Sequence, residues 1–158
     1  MTIRFATEAD TPRILQFIRQ LADYEHLLDQ VTATEDLLAD QLFRQKRAEV
    51  LLAQEQGQEV GFALFFHNFS TFLGRSGLYL EDLYVLPEYR GKGVGTALLR
   101  FLAALAKERG CGRLEWSCLD WNEPSITFYR SLGAEPMADW TVYRLDGETL
   151  DRMAGDIL

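Results

Sequence analysis

The sequence predicts a single domain of the α/β or α+β class, and three observations support this prediction. Segments with strand-like and helix-like patterns alternate along the chain and are joined by short connections. The length of 158 residues is that of one ordinary domain, enough to enclose one continuous core. The chain contains no internal repeat, linker or low-complexity stretch. We therefore expect one domain over residues 1–158.

Apolar residues at helical spacing, together with typical boundary residues, predict five helices. The first begins after Asp10, a candidate N-cap, and carries Pro12 in its first turn. The third is a long helix that ends before Gly110, the usual residue at such a position. The second to fifth helices are expected at Thr34–Phe43, Gly93–Arg109, Glu123–Leu132 and Glu148–Met153.

Runs of β-branched, aromatic and other apolar residues predict the strands. Between the second and third runs, Gln56-Gly57-Gln58 has the composition of a tight hairpin turn. The strands are expected at residues 3–6, 48–55, 59–67, 78–86, 113–119 and 140–145.

Composition and charge exclude several classes of function. The net charge of −8 argues against nucleic-acid binding through a basic surface and favours a cationic small substrate. No apolar run reaches the length needed to span a membrane, and the N-terminus lacks a secretory signal. Cys111 and Cys118 have neither redox-pair spacing nor histidines to complete a zinc site. We expect a cytoplasmic protein without a bound metal.

The most informative segment is the glycine loop between the strand at 78–86 and the long helix. Its residues are Arg90, Gly91, Lys92, Gly93, Val94, Gly95 and Thr96. The first amides of a helix have no intrahelical acceptor and carry partial positive charge, and glycines allow an anion to approach them closely. The alternative is a tight turn that only allows the helix to pack on the sheet. The spacing fits neither a dinucleotide-binding fingerprint nor a P-loop.

The pattern Arg90-x-x-Gly93-x-Gly95 resembles the pyrophosphate-binding motif of the GNAT superfamily of N-acetyltransferases. Two longer segments, Leu78–Gly95 and Trp121–Ala134, resemble the diamine acetyltransferase branch, which includes spermidine/spermine and thialysine acetyltransferases. The resemblance implies the GNAT fold, a mixed and mostly antiparallel twisted sheet of about six to seven strands flanked by helices. It also implies acetyl-CoA as cosubstrate and a homodimer.

For the cofactor, the resemblance implies a bulged strand whose residues Leu83, Tyr84 and Val85 line the pantetheine arm. It places Arg90 to Thr96 around the phosphates. A second cofactor contact is implied at the start of the helix near residue 123, where Asn122 is also a candidate N-cap. The residues of that second segment are Asn122, Glu123, Pro124 and Ser125.

Two carboxylates, Glu81 and Asp82, interrupt an otherwise apolar strand. In a sheet covered by helices both would be partly desolvated, which raises a carboxyl pKa and favours a base or a cation-binding group. Alternatively, one of them pairs with an arginine or caps the bulge. The resemblance implies that Glu81 binds the amine and acts as general base, directly or through water.

The same resemblance implies further residues at the acceptor end. Tyr129 would be the proton donor to the CoA sulfur, although its spacing alone is typical of a core tyrosine. Tyr24 and Glu25 match positions that contact the acceptor in polyamine-acetylating relatives, and a solvated helix end explains them equally well. Together with Glu81 and Asp82 they favour a diamine-like or polyamine-like acceptor.

Two alternatives remain open on sequence alone. The first is a thialysine or other amino-acid-like acceptor, because Asp120-Trp121-Asn122 and Pro87-Glu88-Tyr89 resemble the thialysine-acetylating members. The second is a non-catalytic acetyl-CoA-binding sensor that keeps the glycine loop. The presence of both Glu81 and Tyr129 argues against the sensor.

Overall fold

The computed structural model describes residues 1–158, which form two compact units, Met1–Leu119 and Asp120–Leu158. A single domain over the whole chain stays a prediction. No helix is both long and apolar enough to cross a membrane.

The first unit is built on a five-stranded sheet with the spatial order β1-β2-β3-β4-β5. Strands β1 to β4 are antiparallel neighbours, and β5 runs parallel to β4. This arrangement confirms the predicted mixed and mostly antiparallel sheet. The strands are β1 (Thr2–Phe5), β2 (Glu49–Glu55), β3 (Gln58–Ser70), β4 (Arg75–Val85) and β5 (Leu114–Trp116).

The predicted strand at 140–145 is wrong, and the sheet has five strands rather than six to seven. Residues 141–146 have no regular secondary structure, and Trp140, Val142 and Tyr143 are 76%, 81% and 92% exposed. Their β-branched and aromatic composition is typical of a strand, but a strand also needs a neighbour to pair its backbone groups. Composition alone could not reveal that this pairing is missing.

All five helices are present, close to their predicted bounds. In α2 the backbone changes to a π-helical turn at Asp40–Arg44, so its α-helical part is shorter than expected. The first unit contains α1 (Thr11–Tyr24), α2 (Glu35–Ala39) and α3 (Val94–Glu108), and the second contains α4 (Glu123–Ser131) and α5 (Gly147–Ala154).

Asp10 occupies the N-cap position of α1, as predicted, but its side chain makes no capping hydrogen bond to this helix. Its carboxylate accepts a hydrogen bond from the Thr7 amide at 2.8 Å and pairs with the Arg4 guanidinium at 2.8 and 2.9 Å. The hydrogen bond from Arg4 lowers the pKa of Asp10 to about 2. The carboxylate therefore links β1 to the turn that precedes α1, rather than to the first turn of α1 itself.

Helices α1 and α3 lie on opposite faces of the sheet. The Phe17 ring of α1 stacks on Phe62 of β3 with centroids 5.2 Å apart. The preceding residue, Gly61, faces Val94 of α3, whose Cγ1 would lie 3.3 Å from an added Cβ. Because successive strand residues point to opposite faces, the two helices cover the two faces.

Candidate active site

Strand β4 contains the bulge that the family resemblance implies. Its pairing with β3 runs from Val85 opposite Gly61 to Asp82 opposite Leu64, and then resumes with Leu80 opposite Phe65. Glu81 is therefore left without a partner on β3. A single extra residue of this kind bends the strand and increases its twist.

The pairing between β4 and β5 ends at the same point. It covers only Leu78–Leu80 of β4 and Leu114–Trp116 of β5. Beyond Leu80, the edge of β4 that faces away from β3 has no strand partner in the first unit, and Leu83, Tyr84 and Val85 lie on this stretch. Its backbone donors and acceptors can therefore bind an extended molecule in the way a sheet edge binds a strand.

The bulge separates the environments of the two carboxylates. Glu81 is exposed, whereas Asp82 is half-buried. Burial, followed by the negative charges of Glu81 and Glu25, raises the pKa of Asp82 to about 7. The predicted desolvation is thus confirmed for Asp82 and wrong for Glu81, because the prediction assumed that helices cover both carboxylates of this strand.

Glu25 brings a third carboxylate to this region from the end of α1. Burial raises the pKa of Glu25, and its charge contributes to the raised pKa of Asp82. We call Glu25, Glu81 and Asp82 the acidic cluster. Asp82 is close enough to both Glu25 and Glu81 to interact electrostatically with each, so a cation bound beside it would relieve this repulsion.

The glycine loop connects the end of β4 to α3 and has the backbone expected of an anion site. After a 3₁₀ turn at Pro87–Tyr89, Gly91 and Gly93 adopt φ angles of 74° and 86°. An added Cβ at either glycine would meet no atom within 4 Å, so backbone conformation rather than crowding demands glycine there. α3 begins at Val94, and its first amides, including those of Gly95 and Thr96, have no intrahelical acceptor.

The two cations of the loop have different surroundings. The Arg90 guanidinium lies 5.2 Å from the ring centroids of both Tyr24 and Tyr84, and its Nε donates to the Val85 carbonyl oxygen at 2.9 Å. Lys92 Nζ lies 5.4 Å from the Tyr89 ring. The side chain of Arg90 therefore contacts the ends of β4 and α1.

Sequence reasoning missed Gly61 of β3. An added Cβ there would lie 3.0 Å from the Tyr84 carbonyl oxygen and 3.3 Å from Val94 Cγ1. Gly61 therefore allows the first residue of α3 to approach the sheet beside β4. The available signal was a glycine inside an apolar strand, which often marks a close backbone approach.

The second unit contains the remaining predicted residues on and around α4. Asn122 is the N-cap, as predicted, and its Oδ1 accepts a hydrogen bond from the Ser125 amide at 3.4 Å. Glu123 and Pro124 occupy the first turn. Tyr129 is half-buried on the same helix, and its ring centroid lies 5.5 Å from that of Phe128.

Comparisons with known proteins agree with this geometry. The acetyltransferase (GNAT) family matches residues 15–134. A thialysine N-epsilon-acetyltransferase from Bos taurus is 39% identical, covering 97% of this chain and 96% of the relative. An L-ornithine N5-acetyltransferase from Arabidopsis thaliana is 30% identical, with coverage of 94% and 85%. An integron cassette protein from the mobile metagenome of V. cholerae has a TM-score of 0.82 and 28% identity, with coverage of 97% and 96%.

These findings decide between the enzyme and the non-catalytic sensor in favour of the enzyme. The family match covers the glycine loop, the bulged strand and helix α4, and the full-length relative at 39% identity is a catalyst by its name. The chain belongs to the acetyltransferase (GNAT) family and is an acetyl-CoA-dependent N-acetyltransferase of the branch that contains the thialysine and spermidine/spermine-like acetyltransferases.

Proposed function

We propose that this enzyme acetylates the primary amine of a small cationic acceptor that binds at the acidic cluster. The observation that carries the proposal is the convergence of Glu25, Glu81 and Asp82 at the bulge, with Asp82 half-buried and its pKa raised to about 7. Mutual repulsion among the three carboxylates makes the empty cluster unfavourable, and a bound ammonium group removes that cost.

The acetyl donor would bind beside this cluster, along the same strand. The unpaired edge at Leu83, Tyr84 and Val85 supports binding of the amide-containing pantetheine arm. The exposed loop glycines and the first amides of α3 support binding of the pyrophosphate. On the family resemblance alone, Asn122 to Ser125 would also contact the cofactor.

Among cationic acceptors, we propose a basic amino acid with a side-chain amine, such as thialysine, as the first candidate. The relatives named for thialysine and L-ornithine support this choice. A diamine or polyamine is the second candidate. Its support is the number of carboxylates in the acidic cluster, since three negative charges can accommodate more than one ammonium group.

The reaction requires removal of a proton before attack. An ordinary alkylammonium is neutral about once in 2,500 molecules at pH 7, a handicap of roughly 4–5 kcal/mol. We propose that exposed Glu81 takes this proton through a water molecule, while Asp82 and Glu25 hold the cation. Tyr129 would donate a proton to the departing sulfur.

A homodimer is part of the same proposal. The exposed side chains of Trp140, Val142 and Tyr143 support it, because an apolar surface of this kind commonly contacts protein. The mass of the protein in solution tests it directly.

The acceptor proposal predicts a preference for acceptors with a second ammonium group. Steady-state kinetics with thialysine, ornithine, lysine, putrescine and spermidine would be compared with those of n-butylamine, which has a single ammonium group. We expect kcat/KM to be about tenfold or more higher for the best acceptor with a second ammonium group, because a second contact between opposite charges contributes about 1.4 kcal/mol or more. Turnover of n-butylamine at the same rate, or of no amine at all, would contradict the proposal.

The glycine loop predicts a specific loss of donor affinity. Gly93→Val should raise the Kd of acetyl-CoA about tenfold or more, because a β-branched residue disfavours φ of 86° and the loop amides would turn away. Gly57→Val is the matched control, since Gly57 has φ of 78° and similar open space but lies in the β2–β3 turn. Equal affinities in both variants, measured by calorimetry, would exclude the loop as a cofactor site.

We expect the Asp82 carboxylate to lower the stability of the fold at high pH while it supports acceptor binding. Its pKa is raised from an ordinary 3.8 to about 7, so this group stabilises the fold below about pH 4 and that contribution is lost as the pH rises through 7. Asp82→Asn should therefore raise Tm at pH 8 relative to wild type and abolish this part of the pH dependence. The same substitution should raise the acceptor KM.

Glu81→Gln is the control for Asp82, because Glu81 is exposed and its replacement should leave Tm nearly unchanged while lowering kcat. The two measurements are thermal unfolding from pH 4 to 9 and acceptor kinetics over the same range. A lower Tm for Asp82→Asn at pH 8 would refute the account of a strained carboxylate cluster.

The acid role predicts the behaviour of Tyr129→Phe. Without the hydroxyl, kcat should fall by a factor on the order of 10²–10⁴ with little change in acetyl-CoA affinity. Tyr143→Phe is the control within the second unit, since Tyr143 is 92% exposed and has no proposed catalytic role, and the substitution keeps the aromatic ring of the proposed dimer surface. Turnover of Tyr129→Phe near the wild-type rate would remove this hydroxyl from the mechanism.

A further inference from the structure

Arg90 of the glycine loop contacts both the end of α1 and the end of β4. Its guanidinium lies 5.2 Å from the ring of Tyr24, the last residue of α1, and 5.2 Å from the ring of Tyr84 on β4. Its Nε donates to the Val85 carbonyl oxygen at 2.9 Å. A planar guanidinium can interact with aromatic rings through its faces while it donates hydrogen bonds along its edge, which an ammonium group cannot do.

The contact with Tyr24 matters because α1 ends there. Glu25 follows directly, and His26 then turns the chain with a φ of 61°. Glu25 is the member of the acidic cluster that comes from this helix end, and its charge reaches Asp82. Any shift of Tyr24 away from β4 would therefore carry the Glu25 carboxylate away from the bulge.

We propose that Arg90 is a positioning residue for the acceptor site. Its guanidinium holds the end of α1 against the end of β4, and so keeps Glu25 within electrostatic reach of Asp82. The phosphates of the donor are bound by the loop backbone and by Lys92, not by the Arg90 side chain. The first position of the glycine loop thus links donor and acceptor sites, an inference that rests on the proposed function.

Lys92 is the second cation of the glycine loop, and its contacts differ from those of Arg90. Its ammonium has the same charge and lies two residues away, and its ring contact is with Tyr89 of the 3₁₀ turn, not with α1. Because the proposal assigns the phosphates to Lys92, removal of its charge should weaken donor binding. Only removal of Arg90 disturbs the acceptor side, so the two substitutions separate positioning from phosphate binding.

The test compares Arg90→Ala with Lys92→Ala. For Arg90→Ala, we expect the acceptor KM at saturating acetyl-CoA to rise about five- to tenfold, the scale of two lost cation–π contacts, with an acetyl-CoA Kd changed less than about threefold. For Lys92→Ala, the acetyl-CoA Kd should rise and the acceptor KM should not. Arg90→Lys should recover only part of the acceptor affinity, since it keeps the charge without the planar fork.

A second measurement does not depend on turnover. Hydrogen exchange at residues 22–27 should become faster in Arg90→Ala than in Lys92→Ala, and a double-mutant cycle of unfolding free energies should show coupling between Arg90 and Tyr24. If no amine is acetylated, the proposed function fails, while these results still decide the contact. Unchanged exchange with additive effects of Arg90→Ala and Tyr24→Ala would overturn the proposal, as would a raised acetyl-CoA Kd without an acceptor effect.

Discussion

The unpaired Glu81 in β4 is the constraint on which the rest of the site depends. From Leu78 to Leu80, β4 is paired on both sides, with β3 and with β5. At the bulge the β5 pairing stops, and from there to Val85 one edge of β4 is without a strand partner in the first unit. The same extra residue exposes Glu81 and leaves Asp82 half-buried. One irregularity thus coincides with both the backbone edge proposed for the donor and the carboxylate pair proposed for the acceptor.

The surrounding structure keeps this irregular strand in place. Gly61 allows α3 to begin close to the sheet, with Val94 near the Tyr84 carbonyl. On the opposite face, Phe17 of α1 packs on Phe62 and lies 6.2 Å from the Tyr84 ring. Contacts on both faces of the sheet therefore hold Tyr84 in place. Neighbouring residues of β4 can then remain in energetically unfavourable environments without a shift of the strand. The raised pKa of Asp82 is an example of the unfavourable local energy that such support allows.

Much of this arrangement could be predicted from the sequence, because helices, turns and the glycine loop are local patterns. The loop glycines, the Asn122 cap and the turn at Gln56-Gly57 are as expected. The predictions that failed concern contacts between residues that are distant in the chain. Residues 140–145 have strand composition without a paired neighbour, and the composition of β4 could not reveal that the covering helices leave Glu81 exposed. The stacking of Arg90 on Tyr24 joins residues from separate elements and has no local signature.

The central claim is that one continuous stretch of β4 and the loop after it binds acetyl-CoA. Amide hydrogen exchange of the wild-type protein with and without acetyl-CoA tests it most directly. The account predicts slower exchange confined, within the first unit, to residues 82–85 and 91–96, where unpaired amides would acquire acceptors. Protection elsewhere in the first unit, with these two segments unchanged, would contradict it.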